Sequence, residues 1–267
     1  MNSRLLEGKS AVITGAGSGV GRQAAFLFAQ NGAKVTCADI REDWIEGTVS
    51  EIRSAGGEAQ GALCDVTRRA DVEGAVAKAV ETYGRLDIIY NNAGIASPMT
   101  KEGGFKSFVE ADDDDIDRLL AVNVKGVILG CQVAIAQFRA QGGGGVIVNT
   151  ASVAGMIGWG GALYGATKGA VVNLTRTLAI EVSGQGIRVN SVCPAGMLTH
   201  YAGLDPDSPH KDKILEGMGK AHPLGRAIEP GDTATAAMFL ASDLASNITG
   251  VNLPVDGGLT AGRKIGG

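Results

Sequence analysis

The sequence predicts an α/β fold: one doubly wound parallel sheet of about seven strands, with helices on both faces. Three observations carry this reading. Short apolar runs alternate with longer helical patterns along the chain, which implies repeated βαβ units and a sheet covered on both sides. The length, 267 residues, suits one large α/β domain over 1–267. No stretch has the composition of a linker between domains, and no internal repeat is visible.

The elements follow in order. Ser10-Ala-Val-Ile-Thr14 reads as the first strand. A helix over 20–31 follows, ended by Gly32. A strand over 34–39 leads to a helix over 44–55, a strand over 59–64 to a helix over 69–83. The fourth strand spans 86–90. A long helix is expected over 112–139. Its apolar part is interrupted by Asn123, Lys125, Gln132 and Gln137, so it reads as an internal helix and not as a membrane span. The carboxylates Asp112 to Asp115 suit a helix N-terminus, where they cap free N–H groups and match the dipole. Gly142 to Gly145 make a turn. The fifth strand covers 145–150, a helix 162–182, the sixth strand 187–193, a helix 233–242 and the seventh strand 251–255. Right-handed crossovers put the site of such a sheet at the carboxyl ends of its strands.

Composition excludes several function classes. Lys plus Arg total 24 and Asp plus Glu 28, a net charge of −4. A phosphate-backbone binder is normally basic, so nucleic acid is not an expected partner. The first eight residues carry Arg4 and Glu7 and no apolar core of a signal peptide. Cys37, Cys64, Cys131 and Cys193 stand far apart and read as buried thiols of a cytoplasmic protein. His200, His210 and His222 lack metal-ligand spacing, so no metal site is expected. The 41 glycines suggest close backbone approaches, to a ligand or between packed elements.

The first strand runs into Thr14-Gly-Ala-Gly-Ser-Gly-Val-Gly21 and then a helix. Glycines there permit a tight turn, close approach to a pyrophosphate, and close helix packing. Gly15, Ser18, Gly19, Val20 and Gly21 are the candidate phosphate residues. Asp39 ends the second strand 20 residues beyond Gly19, where a carboxylate meets adenosine ribose hydroxyls. Ile40 follows it. A carboxylate accepts both ribose hydroxyls but repels a 2′-phosphate, and Arg41 is the only nearby cation. The cofactor expected is therefore NAD and not NADP.

Tyr164 and Lys168 stand four residues apart, one turn on the same helix face. An ammonium about 5 Å from a phenol, at an effective dielectric of about 20, favours phenolate by roughly 3 kcal/mol. That brings the phenol toward working pH, as a general base for an alcohol proton requires. Ser152 follows the fifth strand and is placed to hydrogen-bond the reacting oxygen.

Taken together, these motifs resemble the short-chain dehydrogenase/reductase family, from about Gly8 to Gly262. Beside those above, the resemblance rests on Asp65-Val66, Asn91-Asn92-Ala93-Gly94, Asn123 and Asp256-Gly257-Gly258. It implies a Rossmann-type domain in which Asp65 and Val66 hold the adenine and Asn92, Ala93 and Gly94 line the adenosine ribose side. Lys168 would also hold the nicotinamide ribose. Asn123 would fix a water linking Lys168 to solvent. Thr199 would meet the nicotinamide carboxamide near Pro194. The resemblance also implies a homotetramer built on the helices 112–139 and 162–182 and on the C-terminal strand region.

Three departures stand out. The turn after the sixth strand reads Pro194-Ala195-Gly196, not Pro-Gly. The interval from Ser152 to Tyr164 is one residue shorter than usual, which Gly155, Gly158, Gly160 and Gly161 could absorb. The 95–111 loop is longer than usual. The connection 197–221, too long for a simple link, is expected to be a substrate lid. It carries Leu198, Tyr201, Leu204, Ile214, Leu215 and Met218, and a short helix over 211–219. With Ile157, Trp159 and the 95–111 loop, it predicts a mainly apolar pocket for a neutral secondary alcohol. The expected activity is NAD-dependent hydride transfer between such an alcohol, or its ketone, and the nicotinamide. A 3-oxoacyl thioester reductase and a non-catalytic NAD-sensing protein are the alternatives.

Overall fold

The computed structural model describes residues 4–100, 104–202 and 205–262. Seven parallel strands form one sheet in the order β3-β2-β1-β4-β5-β6-β7. They are β1 Ser10–Thr14, β2 Lys34–Asp39, β3 Glu58–Leu63, β4 Ile88–Asn91, β5 Gly145–Thr150, β6 Ile187–Pro194 and β7 Asn252–Val255. The chain builds outward from β1 to β3, then returns to place β4 on the other side of β1. That reversal opens a crevice between the carboxyl ends of β1 and β4.

Alternate strand residues feed two cores. Val12, Ile89, Ile147 and Val189 meet α3 (Arg69–Tyr83), α5 (Val127–Gln141) and α6 (Ala162–Val182). Ile13, Tyr90, Val148 and Val192 meet α1 (Gly19–Gln30), α2 (Glu42–Ser54) and α8 (Pro230–Ala241). Helix α1 packs closely because Ala24, Ala25 and Phe28 put small side chains beside one large anchor, all buried. The four cysteines are free and buried.

The structure corrects the long helix expected over 112–139. It comprises α4 (Asp113–Leu120), a π-helical turn over Ala121–Gly126, and α5. The wider turn swings Asn123 into the interior, where it is fully buried; such bulges recur at functional sites. The combined span Asp113–Gln141 is long and apolar enough to cross a membrane, yet α5 buries eight residues within the fold. The acidic run at its start forms the expected cap: Asp112 accepts from the Asp115 amide at 2.9 Å and Asp115 accepts from the Asp112 amide at 3.3 Å. Lys106 pairs with both carboxylates. The short helix expected over 211–219 is α7, Lys211–Lys220. Leu204 of the expected lid and residues 101–103 of the long loop lie outside the described residues.

Candidate active site

The β1–β4 crevice begins at the glycine turn. Gly15 has φ 65°, and a Cβ there would stand 2.9 Å from Ala93 Cα, so the two strand ends meet backbone to backbone. Thr14 Oγ1 accepts from the amides of Asn92 (3.0 Å) and Ala93 (3.1 Å). The Asn92 side chain donates to Thr14 O at 3.0 Å and accepts from Thr150 Oγ1 at 3.3 Å. Asn92 therefore ties β1, β4 and β5 together.

Helix α1 starts at Gly19 with Ser18 as N-cap, no side-chain cap and no acidic residue in its first turn. An electropositive helix end with open amides suits a phosphate. Asp39 Oδ2 accepts from the Gly17 amide at 2.9 Å, and its Oδ1 from the Arg41 amide at 3.1 Å. These bonds fix the buried carboxylate beside the turn. Arg41 is paired with Asp43 at 2.9 Å and stacked 4.1 Å from the Trp44 ring. Ile40 is exposed, and Val66 packs under Gly126, where a Cβ would stand 2.9 Å from Val66 Cγ2. Asp65 Oδ1 accepts from the Thr67 amide and hydroxyl at 2.9 and 2.7 Å. These residues fit a dinucleotide: a glycine cradle that side chains would fill, a bare helix end, and a carboxylate beyond it.

The catalytic candidates gather at the carboxyl ends of β4 to β6. Ser152 is the N-cap of a short 3-10 turn, Val153–Gly155. Its hydroxyl donates to Pro194 O at 3.2 Å and accepts from the Ala154 amide at 3.1 Å. The short interval to Tyr164 is taken up by Gly160 and Gly161, with φ of 78° and 92°, a region that other residues rarely enter. Ser152 is near enough to Tyr164 to act on its phenol, opposing the rise that burial causes. In the Pro194-Ala195-Gly196 turn, a Cβ on Gly196 would stand 2.9 Å from Trp159 Cη2, so glycine is what lets Trp159 settle there. Thr199 is buried, and a Cβ on Gly19 would lie 3.6 Å from its Cγ2.

One electrostatic expectation is reversed. Lys168 is fully buried, and its Nζ donates to Thr150 O at 2.9 Å, 5.7 Å from the Tyr164 ring centre. Burial lowers its pKa to about 8. Burial raises Tyr164 above the usual phenol value, while the neighbouring Tyr201 and Ser152 hydroxyls oppose that rise. Desolvation disfavours either charged form in so dry a site. Desolvation, and not the pull of an ammonium one turn away, sets the direction for both groups.

Asn123 Oδ1 accepts from the Ile95 amide at 2.8 Å, and its Nδ2 donates to Ile95 O at 2.9 Å and to Thr167 Oγ1 at 3.3 Å. Sequence reasoning missed one neighbour of Tyr164. Tyr201, grouped with the apolar side chains of the expected lid, brings its hydroxyl within 3.2 Å of the Tyr164 hydroxyl. Its place two residues after Thr199 was the available signal.

A family model described as enoyl-(acyl carrier protein) reductase, of the short-chain dehydrogenase/reductase type, matches residues 15–260. The chain belongs to the short-chain dehydrogenase/reductase family. Among curated members of the family, an uncharacterized oxidoreductase of Thermotoga maritima is 43% identical over 96% of this chain and 98% of its own. A 2,5-dichloro-2,5-cyclohexadiene-1,4-diol dehydrogenase of Sphingobium indicum is 41% identical over the same shares. A short-chain type dehydrogenase/reductase from Mycobacterium marinum, solved by crystallography, superposes with a TM-score of 0.86 at 32% identity, over 98% of this chain and 99% of that one. This member of the family is an oxidoreductase with a Rossmann-type fold that works on a small molecule with a nicotinamide cofactor.

Proposed function

We propose that this protein is an NAD-dependent oxidoreductase that moves a hydride between a secondary alcohol, or its ketone, and the nicotinamide. The observation that carries it is the convergence of Ser152, Tyr164 and Lys168 beside the β1–β4 crevice. When bound, the nicotinamide supplies the hydride acceptor. Ser152 orients the reacting oxygen. Tyr164 takes the hydroxyl proton in oxidation and returns it in reduction. Lys168 has three N–H donors; one is on Thr150 O, and the others suit the nicotinamide ribose. Asn123 holds the water that joins Lys168 to solvent, supported by its bond to Thr167, the neighbour of Lys168 in the chain. Gly15, Ser18, Gly19, Val20 and Gly21 hold the pyrophosphate, Asp39 and Ile40 the adenosine ribose, Asp65 and Val66 the adenine, Ala93 and Gly94 the crevice wall, and Pro194 and Thr199 the carboxamide side.

NAD over NADP is supported by Asp39, fixed by two amides, and by Arg41, engaged with Asp43 and Trp44. The substrate is a neutral, mainly apolar secondary alcohol; the diol named for the Sphingobium relative is of this kind. A 3-oxoacyl thioester reductase would use the same catalytic residues, and the acyl-carrier description of the matching family model favours keeping it. Asp39 argues against it, because biosynthetic reduction usually draws on NADPH. The protein acts in the cytoplasm as a homotetramer of single-domain chains; Ile180, 76% exposed on α6, is an apolar side chain that such an assembly would cover. A sedimentation run giving a monomer at micromolar concentration would remove the tetramer.

The test is a panel of secondary alcohols with NAD, and of 3-oxoacyl thioesters with NADPH, followed at the NADH or NADPH absorbance. Oxidation of alcohols with NAD supports the proposal. Turnover confined to thioesters favours the alternative, and NAD binding without any turnover favours a sensing protein.

A further inference from the structure

The segment after β6 lays three consecutive side chains across the crevice. Thr199 sits over Gly19, the His200 ring lies 5.8 Å from that of Trp44, and Tyr201 reaches the catalytic end. The Tyr201 ring is edge-on to Tyr164, with centres 6.3 Å apart and planes at 67°. Although Tyr201 is 40% exposed, its hydroxyl is turned inward. That hydroxyl is 2.7 Å from Ile95 O and 3.2 Å from the Tyr164 oxygen.

A phenol has one proton and two lone pairs. Ile95 O offers the shorter contact, and Asn123 holds that carbonyl in place through its own 2.9 Å bond. With the proton on Ile95 O, the Tyr201 oxygen presents lone pairs toward Tyr164. Burial and the neighbouring Tyr164 keep the Tyr201 phenol protonated, far above the usual range. The two phenols thus differ in role: one is available as a base, the other as a neutral acceptor beside it.

When a substrate hydroxyl engages Tyr164, it takes the place of the 3.2 Å contact. The Tyr201 oxygen then needs another donor. Two oxygens on adjacent carbons in a gauche arrangement lie roughly 2.8 Å apart, close to the separation of the two phenols. We propose that Tyr201 positions the substrate by accepting a hydrogen bond from a second hydroxyl on the carbon next to the carbinol, so that the site takes vicinal diols. This rests on the oxidoreductase reading above and specifies its substrate class. A second carbonyl would suit less well, because Tyr201 would have to withdraw its proton from Ile95 O.

The test compares cis-1,2-cyclohexanediol, cyclohexanol and 2-methoxycyclohexanol, with NAD and with NADP. The diol should exceed cyclohexanol by tenfold or more in kcat/KM, because a site built for a hydroxyl rejects the analogue lacking it. The methyl ether keeps the second oxygen but has no proton to give, and should fall to the cyclohexanol level or below. In Tyr201→Phe the diol-to-cyclohexanol ratio should drop toward one, with the loss mainly in KM for the diol. Oxidation of all three alcohols at similar rates by the wild type overturns the diol assignment and leaves the oxidoreductase reading intact. A diol preference that survives in Tyr201→Phe overturns the role of Tyr201. If none of the three is oxidised with either cofactor while other secondary alcohols are, the diol assignment alone falls. If no alcohol of any kind is oxidised, both readings fall.

Discussion

Gly21 lies so close to Gly15 that a Cβ on residue 21 would come within 2.0 Å of the Gly15 carbonyl oxygen. The obstacle is backbone, which cannot rotate aside. Gly21→Ala should therefore push α1 off the turn, weaken cofactor binding strongly, and cost about 1–3 kcal/mol of stability. Gly47, inside α2 with nothing within 4 Å of its Cβ position, gives the contrast. Gly47→Ala should stabilise by about 0.5–1 kcal/mol, since alanine loses less freedom in a helix. Thermal unfolding with and without NAD measures both; equal behaviour of the two variants would contradict the crowding argument.

Tyr164→Phe should lower turnover on the order of 10² to 10⁴ while leaving NAD affinity within a few-fold. The hydroxyl moves the proton, and the cofactor is held mainly elsewhere. Near-wild-type turnover would falsify the assignment. Because burial raises Tyr164 above its usual value, alcohol oxidation should climb with pH on the alkaline side. Lys168, held near 8 by burial, is already neutral over that climb, so Lys168→Ala should leave its position unchanged; a shift to higher pH would mean that the ammonium persists beside Tyr164.

Lys168 gives a stability prediction of definite sign. Its pKa falls from 10.5 in the unfolded reference to about 8 when buried. Below pH 8 both states carry the proton and the folded state bears the full burial penalty. From pH 8 to 10.5 the unfolded chain binds the extra proton, so stability rises with pH. Lys168→Met should therefore be inactive yet more stable than wild type near pH 7, by up to about 3 kcal/mol. The gap should shrink toward pH 10. A gap that is constant across thermal denaturations from pH 6 to 10 would mean that the ammonium is not what destabilises the site.

Asp39→Ala should erode cofactor selection. The wild type should favour NAD over NADP by about a hundredfold in kcat/KM, roughly 2.7 kcal/mol. The variant should lose much of that ratio. It should also lose some stability, since Asp39 anchors the amides of Gly17 and Arg41. Equal use of both cofactors by the wild type would remove Asp39 from the ribose.

A last prediction concerns the lid. Helix α7 buries only Gly219 among its described residues, so the segment is held by few contacts and should open readily. Cleavage near the exposed His210 should slow when NAD and a substrate analogue bind. Equal cleavage rates with and without ligands would argue for a plain surface excursion.

What the sequence determined by itself was local. Strand and helix periods, the glycine turn and the Asp39 position each depend on a few neighbouring residues, and strands 10–14, 34–39 and 145–150 and helices 69–83 and 162–182 have the same bounds in the structure. The tertiary structure decided what depends on distant partners. The π turn holds Asn123, whose side-chain amide bonds Ile95, 28 residues away in the chain. Spacing on one helix suggested an ammonium lowering a phenol, but burial sets the pKa of both groups, and burial is a property of the packed whole. Tyr201 looked like one more apolar lid residue until the fold set its hydroxyl against Tyr164, 37 residues away. Periodicity records which face of an element is apolar; it does not record where two remote elements meet, and that meeting is where the chemistry of this site is determined.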